Sequence, residues 1–85
     1  EPIIYFSFRP FGIDWTWHVL EAEIQKNDIL FFGLVCGLEE ELGYFSLSEL
    51  LEQQFLLITS TLVPMKFSEA KEKYKFNYQL SAEAD

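Results

Sequence analysis

Phe32-Gly33-Leu34-Val35-Cys36-Gly37-Leu38, then Glu39-Glu40-Glu41, then Leu42-Gly43-Tyr44-Phe45-Ser46-Leu47-Ser48-Glu49-Leu50-Leu51 is the stretch on which the fold turns. It reads as a buried strand, an acidic turn, a second short strand and a helix start. Ile29 to Leu38 is almost wholly apolar. A bilayer crossing takes about 20 such residues. A shorter run rich in Phe, Ile and Val and closed by glycine reads instead as a strand buried on both faces. Gly43 is expected to serve a backbone angle or a close approach that a Cβ would forbid.

Ser46 has the signature of an N-cap. Its hydroxyl is placed to accept from the Glu49 amide, and the Glu49 carboxylate to accept from the Ser46 amide, which together make a capping box. Phe45 before the cap and Leu50 one turn later fit the hydrophobic staple. A helix is therefore predicted from Leu47 to about Gln54.

Phe32-Gly33-Leu34 followed by Glu41-Leu42-Gly43-Tyr44-Phe45-Ser46-Leu47-Ser48-Glu49-Leu50 resembles an uncharacterised bacterial family, domain of unknown function 2958. Trp17 through Glu21 to Ile24 is similar to that family's Trp-to-Glu strand. Pro64 and Phe67-Ser68-Glu69 are weakly similar to its Pro, Leu-Ser-Glu segment. The resemblance covers about residues 15–70. The turn after Phe32-Gly33 is shorter than usual in the family, and the acidic residue usual before the Pro segment is missing. Family members are often encoded on plasmids and other mobile elements, so the resemblance implies a bacterial, mobile-element context. It implies no activity.

Eighty-five residues make one domain, expected over residues 1–80 with a disordered tail at 81–85. A chain of this size buries only about 60% of its unfolded surface. Nine Phe, four Tyr and two Trp supply a dense core. Cys36 is the single cysteine, which excludes an internal disulfide and fits a reducing, cytoplasmic setting. No signal peptide or membrane helix is visible. The chain opens on Glu1 rather than Met, which suggests processing, trimming or a fragment.

The net charge is -8, and it is unevenly distributed. Residues 1–65 carry ten acidic side chains against Arg9 and Lys26, whereas the last twenty carry four of each sign. Such a body repels phosphate backbones, which argues against direct nucleic-acid binding. It attracts a basic protein surface, or it serves solubility alone.

Ile3 to Phe8 alternates, with Ile3, Tyr5 and Ser7 on one side and Ile4, Phe6 and Phe8 on the other, and Arg9-Pro10-Phe11-Gly12 ends it. In the next segment Thr16, His18, Leu20, Ala22 and Ile24 form one face, and Trp15, Trp17, Val19, Glu21 and Glu23 the other. The turn Lys26-Asn27-Asp28 joins it to the central strand as an antiparallel hairpin, and Tyr44-Phe45 adds a third strand. Phe55 to Ile58 fits either helix or strand. Thr59-Ser60-Thr61 reads as a loop, and Leu62 to Phe67 as extended, with Pro64 at an edge or an end. Ser68 is a candidate cap for a second helix. Lys73 to Leu80 has strand spacing, although a helix also accommodates it. The fold class expected is α+β: a small, mainly antiparallel sheet of three to four strands with one or two short helices.

No cofactor motif is present. His18 is the only histidine, so a histidine-based metal site lacks ligands. Cys36 and His18 are formally a nucleophile pair, but a thiol in an apolar run packs as a small hydrophobe. Glu39-Glu40-Glu41 lacks the spaced ligands of a calcium loop, and Glu21 with Glu23 forms a possible carboxylate pair. The residues marked for partner binding are Trp15, Trp17, Glu21, Glu23, Glu39 and Glu40. With Leu20, Ala22 and Ile24 in the core, the Trp stripe faces outward beside carboxylates. It meets a partner with apolar and basic groups, a second copy included, or it lies beneath Tyr74, Phe76 and Tyr78. The function expected is a non-enzymatic protein-binding or accessory module. The alternatives are an acidic nucleic-acid mimic that inhibits a DNA-processing or defence enzyme, and a small carboxylate-dependent enzyme.

Overall fold

Alternation in the sequence becomes a meander at the centre of the chain. The computed structural model describes residues 1–10, 12, 14–52, 58–61 and 64–80. Strands β3 (Thr16–Gln25) and β4 (Asp28–Cys36) form a hairpin that closes on the pair Gln25↔Asp28, with Lys26 and Asn27 as its two-residue turn. β5 (Glu40–Ser46) returns antiparallel along β4, with Phe31 opposite Phe45. β2 (Phe6–Pro10) joins the other side of β3. These four make the antiparallel sheet of the α+β fold that the sequence predicts. A short strand, β6 (Ile58–Thr61), extends the sheet beyond β2, giving the order β5-β4-β3-β2-β6.

Four sequence expectations change here, the first that Arg9-Pro10 ends the strand: β2 runs through Pro10, which pairs with Ile58. Ile3 to Phe8 is not one strand: β1 (Ile3–Ile4) pairs with β7 (Met65–Lys66), and the chain then passes through Tyr5 into β2. Thr59-Ser60-Thr61 is strand rather than loop. The open edge of β2 needs partners for its backbone groups. Gly43 meets no crowding, since a Cβ there would find nothing within 4 Å. The demanding glycine is its cross-strand partner Gly33, where a Cβ would collide with the carbonyl oxygen of His18. Pro64 directly precedes β7, as an end position requires. Residues 53–57, 62–63 and the expected tail 81–85 lie outside the described residues.

The collision at Gly33 marks a β-bulge. Val19 pairs with Gly33 and Glu21 with Phe32, so Leu20 is the extra residue on β3. An extra residue swaps the faces downstream of it. Trp17 and Val19 pack with Phe31, Phe45 and Leu50, beneath helix α1 (Leu47–Glu52). Glu21 and Glu23 lie opposite Phe32 and Leu30, on the face shared by Leu34 and helix α2 (Phe67–Tyr74). The predicted single stripe is thereby cut in two. Ala22 and Ile24, expected in the core, are exposed, Ile24 by 83%.

Both faces of β4 are covered at Phe31 and Leu34, as its composition implies, whereas Leu30 and Phe32 are only half-buried. Phe31 is buried on the α1 face, in a nest of rings with Phe6, Phe8 and Phe45 whose centroids lie 5.2–5.7 Å apart. Leu34 is fully buried on the α2 face with Ile4, Phe67, Ala70 and Phe76. The chain after α2 turns at Lys75, whose φ of 65° ends the helix with its N–H donating to the Lys71 carbonyl. Residues 76–80 then run without regular structure, with Phe76 buried and Tyr78 and Leu80 against the same cluster. The alternation read in this segment is real, but the covered face is that of His18 and Leu34 rather than the Trp stripe.

The capping box forms as predicted. The Glu49 amide donates to Ser46 Oγ at 3.1 Å, and the Ser46 amide to Glu49 Oε1 at 2.9 Å. Phe45 and Leu50 are both buried in one cluster, as the staple requires. Asp28 adds a long-range cap: its carboxylate accepts from the Ser48 amide at 3.0 Å and the Ser48 hydroxyl at 2.6 Å. These bonds, with one from the Ile29 amide, hold the Asp28 carboxyl below its usual pKa. Helix α2 starts one residue before the candidate cap Ser68. The Ser68 amide donates to the Glu1 carboxylate at 2.7 Å, and the Lys66 amide to Glu69 at 2.9 Å.

Ser46→Ala removes the acceptor for the Glu49 amide and is expected to lower stability by about 1 kcal/mol. The urea midpoint checks this. An unchanged midpoint would mean that Asp28 alone carries the start of α1.

Candidate functional site

The six predicted partner-binding residues do not converge. Trp17 is 8% exposed and belongs to the α1-face core, which corrects the expectation that it faces outward; it shares that face with its cross-strand partners Phe8 and Val35, and the bulge sends Glu21 and Glu23 to the other one. Trp15 remains 38% exposed. Its ring lies 5.7 Å from that of Trp17, and a Cβ at Gly37 would lie 2.5 Å from it. With Val35, Leu38, Glu39 and Glu41 it lines a hollow of about 270 Å³. Glu40 points away from that hollow, since its carboxylate accepts from the Asn77 amide at 2.9 and 3.1 Å.

Glu21 and Glu23 stand on the opposite face, toward the turn end of the β3–β4 hairpin. There the residues around α2 stop short of the sheet. A groove of about 470 Å³ runs between Tyr5, Leu20, Phe32, Leu42 and Leu80, with Glu1 and Glu21 at its rim. A smaller hollow of about 110 Å³ continues it past Phe32 to Leu30 and Tyr44, bounded by Glu21 and Glu23. Phe32 and Tyr44 are cross-strand partners with ring centroids 5.0 Å apart. Tyr44 is 72% exposed and Tyr5 50%. Sequence reasoning missed Tyr5, Phe32 and Tyr44 because it placed Glu21 and Glu23 beside the tryptophans. The one available signal was Gly33, a glycine inside a buried strand, which marks a bulge or a close backbone approach.

His18 and Cys36 do share the α2 face, and neither is poised for catalysis. His18 is fully buried between Tyr74 and Phe76, whose ring centroids lie 4.7 and 5.1 Å away. Its Nδ1 forms a 2.7 Å hydrogen bond with the buried Ser7 hydroxyl, and its Nε2 has no partner among the described residues. Burial lowers the imidazole pKa to about 4, so the ring is neutral at pH 7. A serine and a base in contact suggest a nucleophile, but both are sealed from any substrate. Burial, with the Glu40 charge nearby, pushes the Cys36 thiol up to about 11, which suppresses the reactive thiolate. Among the described residues no three His, Cys, Asp or Glu side chains cluster as metal ligands, and no helix is long and apolar enough to cross a membrane.

His18 makes stability depend on pH. The unfolded ring takes a proton near pH 6.5, the folded ring only near 4. The neutral ring's contribution is therefore complete above 6.5 and is lost as pH falls to about 4, by on the order of 3 kcal/mol in all. The urea midpoint of the wild type is expected to drop across that window, and the drop to flatten in His18→Gln. An equal slope in both proteins would assign the effect to the carboxylates.

Comparison with protein-family models, with curated proteins and with solved structures finds no match for this chain.

Proposed function

We propose that this chain is a non-enzymatic protein-binding module, and that its partner lies in the groove toward the turn end of the β3–β4 hairpin. The observation that carries the reading is the pair Phe32–Tyr44, an aromatic surface left uncovered beside Glu21 and Glu23. Aromatic side chains of this size bury on the order of 150–250 Å² each and dominate interface energetics. The carboxylates at the rim favour a segment that brings basic residues along with its apolar ones. The resemblance of the Glu41–Leu50 run supports a bacterial, mobile-element context for such a module.

The acidic-mimic alternative draws on the same carboxylates but differs in physics. A mimic binds through charge and loses affinity steeply with salt, whereas apolar docking does not. Carboxylate catalysis has less support. Glu21 and Glu23 are both exposed on the open sheet face, where water screens any pairing between them.

Affinity capture from bacterial lysate with wild type, Tyr44→Ala and Glu21→Gln/Glu23→Gln, at low and high salt, tests the reading. Tyr44 is exposed, so its truncation leaves the fold intact. It is expected to weaken capture of a specific protein by roughly ten-fold or more, in line with an interface aromatic, at either salt. Capture that survives Tyr44→Ala but vanishes with the glutamines and with salt would favour the mimic.

A further inference from the structure

The hollow around Trp15, on the α1 face, has a composition of its own. Trp15 supplies an indole, Val35 and Leu38 supply apolar walls, and Glu39 and Glu41 supply two carboxylates. None of these five is basic, and Leu38 is 93% exposed. The indole is seated before any ligand arrives. Gly37 lies directly beneath the ring, where any Cβ would strike it, and the Trp17 ring stands beside it at 5.7 Å. The turn itself is pinned, with the Gly37 amide donating to the Glu39 carbonyl at 3.0 Å. Glu41 is fixed opposite Val35 by the β4–β5 ladder.

We infer that this hollow receives an arginine side chain of a protein partner. The chemistry is complementary at each point. A guanidinium is planar and stacks on an indole face. Its N–H groups match carboxylate oxygens, which Glu39 and Glu41 supply. The three-carbon stem needs apolar walls, which Val35 and Leu38 supply. Lysine offers a charge but no plane to stack, and an anion is repelled. The occupant is a side chain within a polypeptide because the exposed Leu38 at the mouth suits the chain that carries it. The inference is independent of the groove on the opposite face.

The test is an NMR titration with N-acetyl-arginine-N-methylamide, alongside its citrulline counterpart, which keeps the shape and loses the charge, and free L-arginine. The arginine amide is expected to give saturable shifts at the Trp15 indole N–H and at the Val35 and Leu38 methyls. Tyr44→Ala is expected to leave them unchanged. Glu39→Gln/Glu41→Gln is expected to weaken binding by roughly ten-fold, from two exposed charge contacts. Trp15→Leu is expected to weaken it by roughly five-fold, with the Trp17 indole signal reporting that the fold is retained. Equal shifts from the citrulline amide, shifts spread evenly over the acidic surface, or binding indifferent to the glutamine pair would each overturn the inference. Tighter binding of free arginine than of the blocked amide would overturn the assignment to a partner's side chain.

Discussion

Most of this structure depends on the extra residue at Leu20. A strand without a bulge would keep Trp15, Trp17, Val19, Glu21 and Glu23 on one face, so that either the tryptophans were wet or the glutamates were buried. The bulge removes the conflict: the first half of β3 gives its indole and valine to the α1 face, and the second half gives its carboxylates to the other. Gly33 is the condition for it, because only a residue without a Cβ tolerates the His18 carbonyl at that approach. Two cores, two hollows and the separation of the acidic residues into distinct surfaces all follow from this one irregularity.

What was legible in the sequence was local. The β3–β4 hairpin, the capping box at Ser46 and Glu49 and the Phe45–Leu50 staple rest on interactions within a few residues or on a simple period, and each appears as read, whereas the turn is one residue shorter than Lys26-Asn27-Asp28 and the buried strand ends at Cys36, before the exposed Leu38. What was not legible spans long distances. Asp28 caps a helix 20 residues away, and Glu1 caps one 67 residues away. Thr59 to Thr61 becomes strand because β2 offers an unpaired edge, a fact of topology that no local propensity contains. The candidate site suffered most, since its residues were chosen by strict alternation and one inserted residue reassigns every side chain beyond it.

The core gains its density from rings. The α1 face stacks Phe6, Phe8, Phe31 and Phe45 edge to face or tilted, and the α2 face adds Phe67 and Phe76 at 5.2 Å. Such contacts contribute about 0.5–1.5 kcal/mol each beyond the burial of area, which matters in a chain with so small an interior. The same richness leaves an excess, and Tyr5, Tyr44 and Trp15 are its exposed remainder. In a body carrying eight net negative charges, each of these aromatics has carboxylates for neighbours, so surface affinity here combines an apolar plane with an anionic edge.

The layer over His18 is assembled from the two ends of the described chain: β1 with β7, the Phe67 amide on the Pro2 carbonyl, and the Ser68 amide on Glu1. The meander of β3, β4 and β5, by contrast, is built from neighbours in sequence. Closing a loop of this length costs more chain entropy than closing a two-residue turn, so the layer has the character of a separate cooperative unit, or foldon. Its amides are therefore expected to exchange with solvent through partial opening, at lower free energy than the amides of β4. Such an opening would wet His18 Nε2, which has no partner among the described residues, and leave the ring nest beneath α1 dry. The imidazole lies on the seam between the locally built meander and the layer that the chain ends close over it.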